Sequence, residues 1–283
     1  MTLRKRRGIE IKTDAQLRAM RRAGLVVAQA LETIAAAAVP GVTTGDLDEL
    51  ARDVLRRNGA KSSFLGYAHP PFPAVICASV NDEVVHGIPN RRPLVAGDLL
   101  SVDFGAIVAG WHGDAAVTVA VGSVSADLQR LSQVTEAALW AGLGAALVGN
   151  RLSDISHAVE RSITSSRRPD QGAWGIVREY GGHGIGTAMH MDPHLVNYGP
   201  PGKGPQLRAG MALAIEPMVT IGEEDVIVAA DDWTVLTADG SASAHWEHTV
   251  AITEEGPWVL TARDGGAARF AQLGIPSPAA QRE

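Results

Sequence analysis

The stretch Leu94-Val95-Ala96-Gly97-Asp98-Leu99-Leu100-Ser101-Val102-Asp103 recurs as Leu207-Arg208-Ala209-Gly210-Met211-Ala212-Leu213-Ala214-Ile215-Glu216. Both copies read Leu-x-Ala-Gly-x-x-Leu-small-β-branched-carboxylate, so each sets an acid at the end of an otherwise apolar strand. A further acid follows each copy: Asp114 stands eleven residues after Asp103, and Glu247 thirty-one after Glu216. Four carboxylates directed into an apolar interior cannot all stay ionised without compensation. Two divalent cations would supply four positive charges and match them; pairing with arginine is the other way to hold buried acids. His183 lies in Tyr180-Gly181-Gly182-His183-Gly184-Ile185-Gly186, where four glycines around one histidine imply backbone packed closely on a neighbour. The spacing is not Gly-x-Gly-x-x-Gly, which excludes a dinucleotide fingerprint. Imidazole with carboxylate oxygens suits Mn²⁺, Fe²⁺, Co²⁺ or Zn²⁺ better than Ca²⁺.

The acids need elements that aim them. Asp103 and Asp114 are expected to oppose each other across a hairpin turning at Val108-Ala109-Gly110. An odd separation suits a two-residue turn, and opposed residues share a face. His245, Glu247 and Thr249 share a face by strand alternation, so His245 and His248 need not both lie near a metal. Thr13-Asp14-Ala15-Gln16 reads as a capping box before a helix carrying Leu17, Met20, Gly24, Val27, Leu31 and Ile34, with Pro40-Gly41 as its stop. A second helix starts at Thr44 and stops at Asn58-Gly59. The plan repeats 108 residues later: Ser125 caps a helix with Leu128, Leu131, Val134 and Leu139, and a shorter one carries Ile155, Val159 and Ile163. Gly41, Asp46 and Leu47 match Gly149, Asp154 and Ile155 in this register. Strand composition marks Ala74–Ala78, Leu99–Phe104, Ala115–Val121, Ala212–Val219 and His245–Thr253. Two helix pairs, each followed by strands, predict an α+β fold of two similar halves.

Bulk properties narrow the class. The 283 residues are 46% hydrophobic, enough for one large core or two fused halves. A net charge of −6 does not suit DNA binding. One cysteine, Cys77, allows no internal disulfide and fits a reducing, cytoplasmic location. The longest apolar run, Ala137–Val148, has 12 residues, short of the roughly 20 a membrane span needs. Arg4-Lys5-Arg6-Arg7 is the only basic cluster; it reads as a solvated chain start or as a contact with ribosomal RNA.

Taken together, Asn81-Asp82-Glu83-Val84-Val85-His86-Gly87-Ile88-Pro89, Gly113-Asp114, Gly182-His183-Gly184-Ile185-Gly186, Ile215-Glu216-Pro217-Met218 and Glu247-His248-Thr249 resemble type I methionine aminopeptidases of the M24 metallopeptidase family. The resemblance spans roughly residues 10–262. It implies the pita-bread fold, two pseudo-symmetric halves with a curved antiparallel sheet covered by two helix pairs. The chain then divides into a basic segment (1–12), one metallopeptidase domain (13–262) and a loosely ordered tail (263–283) rich in Ala, Gly, Pro and Gln. By position, Asp114 and Glu247 would bridge two divalent ions (Co, Mn, Fe or Zn), Asp103 would chelate one, and His183 and Glu216 would complete the shell of the other. His86 and His190 are implied as active-site histidines outside that shell. Glu216 would relay a proton, His190 would donate a hydrogen bond to the carbonyl oxygen, and His86 would contact the scissile amide. Phe64, Tyr67, Cys77, Met189 and Trp233 match the family's methionine pocket. Met189 stands where an aromatic is frequent, and Val85 where bacterial members often carry Cys or Thr. The loop Asn81–Glu83 and Ser243 match positions that hold a monovalent cation, Na⁺ or K⁺, through backbone carbonyls. The implied activity is removal of N-terminal methionine from nascent proteins and peptides with a small second residue, by a monomer. A Xaa-Pro-type peptidase and a non-enzymatic interaction protein on the same fold are the alternatives. The first usually carries a large extra domain before the catalytic half, and the second sits poorly with five intact ligand positions. A type II enzyme would carry a helical insertion between the last two acids, where only thirty residues lie.

Overall fold

Thr13 opens the first helix with the reciprocal cap the sequence predicts. Its side chain accepts from the Gln16 N–H, and the Gln16 side chain accepts from the Thr13 N–H, satisfying donors that a helix start leaves open. The computed structural model describes residues 8–166 and 172–278. In chain order the elements are α1 (Asp14–Ala37), α2 (Thr44–Arg57), β1 (Lys61–Ser62), β2 (Cys77–Val80), β3 (Glu83–Val85), β4 (Leu99–Val108), β5 (Trp111–Ala120), α3 (Ala126–Ala145), α4 (Leu152–Ser165), β6 (Gly175–Ile176), β7 (Gly182–Gly184), β8 (Met191–Leu195), β9 (Ala212–Ile215), β10 (Met218–Thr220), β11 (Val226–Val228), β12 (Val235–Thr237), β13 (Ser243–His245), β14 (Glu247–Thr253), β15 (Gly256–Val259) and α5 (Ala267–Leu273).

The two halves repeat down to single hydrogen bonds. Gly41 and Gly149 both adopt the left-handed region, at φ 95° and 94°, a conformation that costs glycine little. Gly41 N–H donates to the Leu94 carbonyl and Leu94 N–H to that of Val42; Gly149 N–H donates to Leu207 and Leu207 N–H to Asn150. Asp46 and Asp154 each accept the backbone N–H three residues upstream, at 2.9 and 2.7 Å. The second helix of each pair is therefore tied to the start of the strand repeat that ends in Asp103 or Glu216.

The main sheet has nine antiparallel strands in the order β1-β4-β5-β14-β9-β7-β8, with β2 on β4 and β15 on β14. Alternation divides each strand between two faces. Leu100, Val102, Phe104 and Ala106 of β4 pack with Val27, Leu31 and Ile34 of α1 and Leu47 and Val54 of α2. Leu213 and Ile215 of β9 and Val250 and Ile252 of β14 pack with Leu139 and Leu143 of α3 and Ile155, Val159 and Ile163 of α4. Burial of these apolar faces, at about 25 cal/mol per Å², fixes the strands' rotation. Asp103, Glu216 and Glu247 are thereby left on the face away from the helices.

Several expectations are corrected. Asp103 and Asp114 are not directly opposed: Asp103 pairs with Ala116 and Asp114 with Gly105. The turn is Ala109-Gly110, both with positive φ, the backbone of a tight primed turn, which moves the hairpin's centre one position on from the Val108–Ala109 midpoint that direct opposition requires. The acids are diagonal neighbours instead, and the two-residue offset keeps them on one face. The expected strand Ala74–Ala78 is only partly one, because the Val75 and Ile76 N–H groups donate to the Asp48 carboxylate at 2.7 and 3.1 Å rather than to a ladder. Ala212–Val219 and His245–Thr253 each break in two. Glu216-Pro217 divides β9 from β10 and Trp246 divides β13 from β14, so that β10 and β13 pair in a separate three-stranded sheet with β6. Pro217 has no N–H to continue a ladder. The chain therefore changes sheet beside Glu216 and again beside Glu247. The segment after Ala262, expected to be loosely ordered, carries α5 with Phe270 fully buried against the second core. The Arg21 guanidinium also donates to the Leu260 and Arg263 carbonyls. Residues 279–283 and the Arg4–Arg7 cluster lie outside the described residues.

Candidate metal centre

The two sheet breaks, the β4–β5 hairpin and β7 meet around one cleft of about 280 Å³ lined by Asp103, Asp114, His183, Glu216 and Glu247. Strand β7 sits between β8 and β9, and its glycines make that possible. A Cβ on Gly182 would stand 2.2 Å from the Ala214 carbonyl oxygen, and one on Gly184 2.2 Å from that of Asp192. These are the neighbours the glycine cluster implied. His183 Nδ1 lies 3.0 Å from the Gly184 carbonyl, which makes Nδ1–H the donor and leaves Nε2 as a free lone pair directed inward.

His183 Nε2 is 3.6 Å from Glu216 Oε1. His245 Nε2 is 3.8 Å from Glu216 Oε2 and 4.0 Å from Glu247 Oε2. Two trios each place one donor atom per residue within 4.8 Å of the others: Asp114, His183 and Glu247, and Glu216, His245 and Glu247. Asp103 and Asp114 lie near enough for each carboxyl to shift the titration of the other. Asp103 Oδ1, Asp114 Oδ1, Glu247 Oε1 and His245 Nε2 are buried without a hydrogen-bond partner. An unsatisfied buried polar atom costs about 1–3 kcal/mol, more when charged, and four converging on one place fit a divalent-ion site.

The electrostatics agree. Burial pushes the Asp103, Glu216 and Glu247 carboxyls well above the usual range, and Asp114 beside all three adds to the effect. Asp114 itself is pushed up to about 7 by burial. Burial, with His190 nearby, lowers His183 to about 3; burial, with His86 nearby, lowers His245 to about 3. Neutral imidazoles are the ligating form. Burial and mutual repulsion thus oppose ionisation of these acids, and cations beside them would relieve both.

The expected pocket residues Phe64, Tyr67, Cys77, Met189 and Trp233 all line the same cleft, as do His86 and His190. Phe72 joins them, with its ring centroid 5.0 Å from that of Trp233. Sequence reasoning missed Phe72, whose place in Pro70-Pro71-Phe72-Pro73 gives no periodic signal. His86 holds a positive φ of 61°, a strained position for a non-glycine residue, and its ring meets those of Tyr180 and Trp233. Tyr67 Oη lies 2.5 Å from His190 Nδ1, and the His190 and His183 ring centroids are 4.4 Å apart. His248, by contrast, bonds the Thr261 hydroxyl and meets the Trp140 ring on the helix side of the sheet.

Residues 18–254 match the sequence profile of metallopeptidase family M24. The chain is 53% identical over 260 residues to methionine aminopeptidase 1 of Mycobacterium tuberculosis (strain CDC 1551 / Oshkosh), covering 92% of this chain and 97% of that protein. The structure of a methionine aminopeptidase from Thermotoga maritima superposes with a TM-score of 0.85 at 41% identity, covering 89% of this chain and 99% of that one. A prolidase from Pyrococcus furiosus superposes with a TM-score of 0.70 at 20% identity, a likeness of fold alone, and this chain covers 65% of it.

Proposed function

This chain belongs to metallopeptidase family M24, among its type I methionine aminopeptidases, and we propose from that premise how its buried acids remove an N-terminal methionine. It is a metal-dependent aminopeptidase of pita-bread fold acting on nascent proteins and peptides. The observation that carries the reading is the convergence of unpartnered Asp103, Asp114 and Glu247 oxygens with the His183 Nε2 beside an apolar slot.

Two divalent ions fit this donor set: Asp114 and Glu247 would hold both, Asp103 would hold one, and His183 and Glu216 would hold the other. When bound, such ions supply Lewis acidity that activates a water and polarises the scissile carbonyl. The residues around them do the rest. Glu216, as the carboxylate, takes the proton of the attacking water and passes it to the leaving amine, and burial raises its affinity for that proton. Tyr67 Oη lies 2.5 Å from His190 Nδ1; with the hydroxyl as donor there, the proton of His190 stands on Nε2. That Nε2–H donates to the carbonyl oxygen as negative charge develops. His86, fixed by its backbone and by Tyr180 and Trp233, meets the scissile amide nitrogen. The free amine of the substrate lies against Asp103, which restricts cleavage to the terminal residue. Phe64, Tyr67, Cys77, Met189 and Trp233 enclose the methionine side chain, whose thioether gains from aromatic contact. The second residue of the substrate would lie beside His86 and His190, which line the same cleft, and a small one would be preferred.

Mn²⁺, Fe²⁺, Co²⁺ and Zn²⁺ all suit these ligands. A monovalent cation, Na⁺ or K⁺, would sit at the carbonyls of Asn81–Glu83 and Ser243; the Ser243 N–H to Asn81 carbonyl bond at 2.8 Å, which joins the two segments, supports this reading. Among the described residues no helix is long and apolar enough to cross a membrane. A cytoplasmic monomer touching the ribosome through Arg4–Arg7 completes the proposal. Its test is hydrolysis of Met-Ala-Ser against Xaa-Pro peptides, with and without Mn²⁺ or Co²⁺. Metal-dependent release of methionine from Met-Ala-Ser is expected. Cleavage of the Xaa-Pro set alone would replace the substrate assignment, and no cleavage under any metal would favour a binding protein on this fold.

A further inference from the structure

His245 has no part in the ligand set above, yet its imidazole is set as a ligand would be. The residue is 2% exposed, and its Nε2 has no hydrogen-bond partner. It lies behind the carboxylates rather than on the cleft wall, between Glu216 Oε2 and Glu247 Oε2. Both separations, 3.8 and 4.0 Å, exceed hydrogen-bond length. They match donors that share an ion: atoms about 2.0–2.2 Å from one metal stand about 3–4.2 Å apart, according to the angle between them.

The backbone around His245 is fastened for a fixed purpose. Its N–H donates to Thr118 Oγ1 at 3.0 Å and to Ser101 Oγ at 3.2 Å, and its carbonyl accepts from Thr118 Oγ1 at 2.7 Å. Ser101 and Thr118 come from β4 and β5, the strands that carry Asp103 and Asp114. The hairpin bearing two of the acids thus also positions the imidazole on the far side of the other two. Glu216 ends up between two imidazoles, His183 toward Oε1 and His245 toward Oε2.

We infer that His245 is a further metal-holding residue, the nitrogen donor to a divalent ion that it shares with Glu216 and Glu247. The ion assigned above to His183 and Glu216 then carries both imidazoles, with Glu247 common to both trios. This rests on the metallopeptidase reading of the site and adds to it a second nitrogen donor. Its chemical consequence is a shift of preference toward Fe²⁺, Co²⁺ or Zn²⁺ and away from Mn²⁺, because imidazole favours the later metals.

The test is X-ray absorption on the Co²⁺-loaded protein together with calorimetric Co²⁺ titration of the metal-free protein, on wild type, H245Q and H183Q. For wild type, two Co²⁺ ions with an average of one imidazole each are expected. H245Q and H183Q should each lose half of the imidazole scattering and weaken one ion by about 10-fold or more. Circular dichroism of the metal-free variants checks the fold, and the wild-type imidazole count stands alone should H245Q not fold. Half an imidazole per Co²⁺ in wild type, or H245Q affinities within about 2-fold of wild type, would overturn the role of His245 while leaving the five-residue site intact. A wild type that binds no Co²⁺ would instead overturn the metal site itself, and His245 with it.

Discussion

Removing one charge from the acid cluster should stabilise the protein without metal and spoil it with metal. Asp114→Asn is the sharpest case. Burial raises the Asp114 carboxyl from 3.8 to about 7, about 3 pKa units, and at about 1.36 kcal/mol per unit this amounts to about 4 kcal/mol. The folded state binds this proton more tightly than the unfolded chain. The penalty is therefore absent below about pH 4, grows as pH rises, and is complete above about pH 7. His183 and His245, both lowered to about 3, act with the opposite sign: the folded state resists protonating them, so stability falls as pH drops below about 6.5 toward 3. They do so equally in both proteins and cancel in the comparison. Coupling among the carboxylates shares the Asp114 penalty, so metal-free Asp114→Asn should gain about 1–4 kcal/mol at pH 8 and nearly nothing at pH 4. At about 2–4 °C per kcal/mol for a chain of this size, thermal unfolding of chelator-treated protein reads this directly. Saturating Co²⁺, at about 100 times Kd, should add about 2.7 kcal/mol per site to wild type, and little of it to the variant. An Asp114→Asn protein less stable than wild type at pH 8 without metal, or equally favoured at pH 4 and pH 8, would refute the charge reasoning.

Tyr67→Phe removes the hydroxyl held 2.5 Å from His190 Nδ1; kcat for Met-Ala-Ser should fall about 10-fold with KM little changed, since oriented donors act on the transition state. Trp233→Ala opens the slot that Trp233 shares with Phe72, and kcat/KM should fall about 10-fold or more, chiefly through KM, as measured by steady-state kinetics. Gly182→Ala drives a Cβ to 2.2 Å from the Ala214 carbonyl oxygen and should cost about 3 kcal/mol or more, seen as a lowered Tm or as insoluble protein.

The helix pairs and their caps are legible in the sequence because local signals decide them: Thr13 and Gln16, Thr43 and Asp46, and Arg151 and Asp154 each make backbone hydrogen bonds within four residues. The convergence of Asp103, Asp114, His183, Glu216 and Glu247 on one cleft is legible because alternation assigns each acid a face once its apolar neighbours are assigned theirs. Three features are not written locally. The hairpin register hangs on which two residues adopt positive φ, and Ala109 does so without a glycine's freedom. The strand breaks at Pro217 and Trp246 follow from pairing with a second sheet, a partner remote in sequence. Alternation places His245 on the face of Glu247 but says nothing of how near it stands to Glu216. That Glu216 lies on its other side depends on the paired breaks, which place Met218 opposite His245. Phe270 likewise packs α5 onto the second core, beside the Trp140 ring, through an apolar position that the composition hides.

The central claim is that the four acids and their imidazole partners hold two divalent ions. Anomalous X-ray diffraction from crystals of the Mn²⁺- or Co²⁺-loaded protein tests it most directly. Two peaks about 3.5–4 Å apart are expected, both touching Asp114 and Glu247 and lying between Asp103 and His183. A single peak, or metal bound away from these carboxylates, would contradict it.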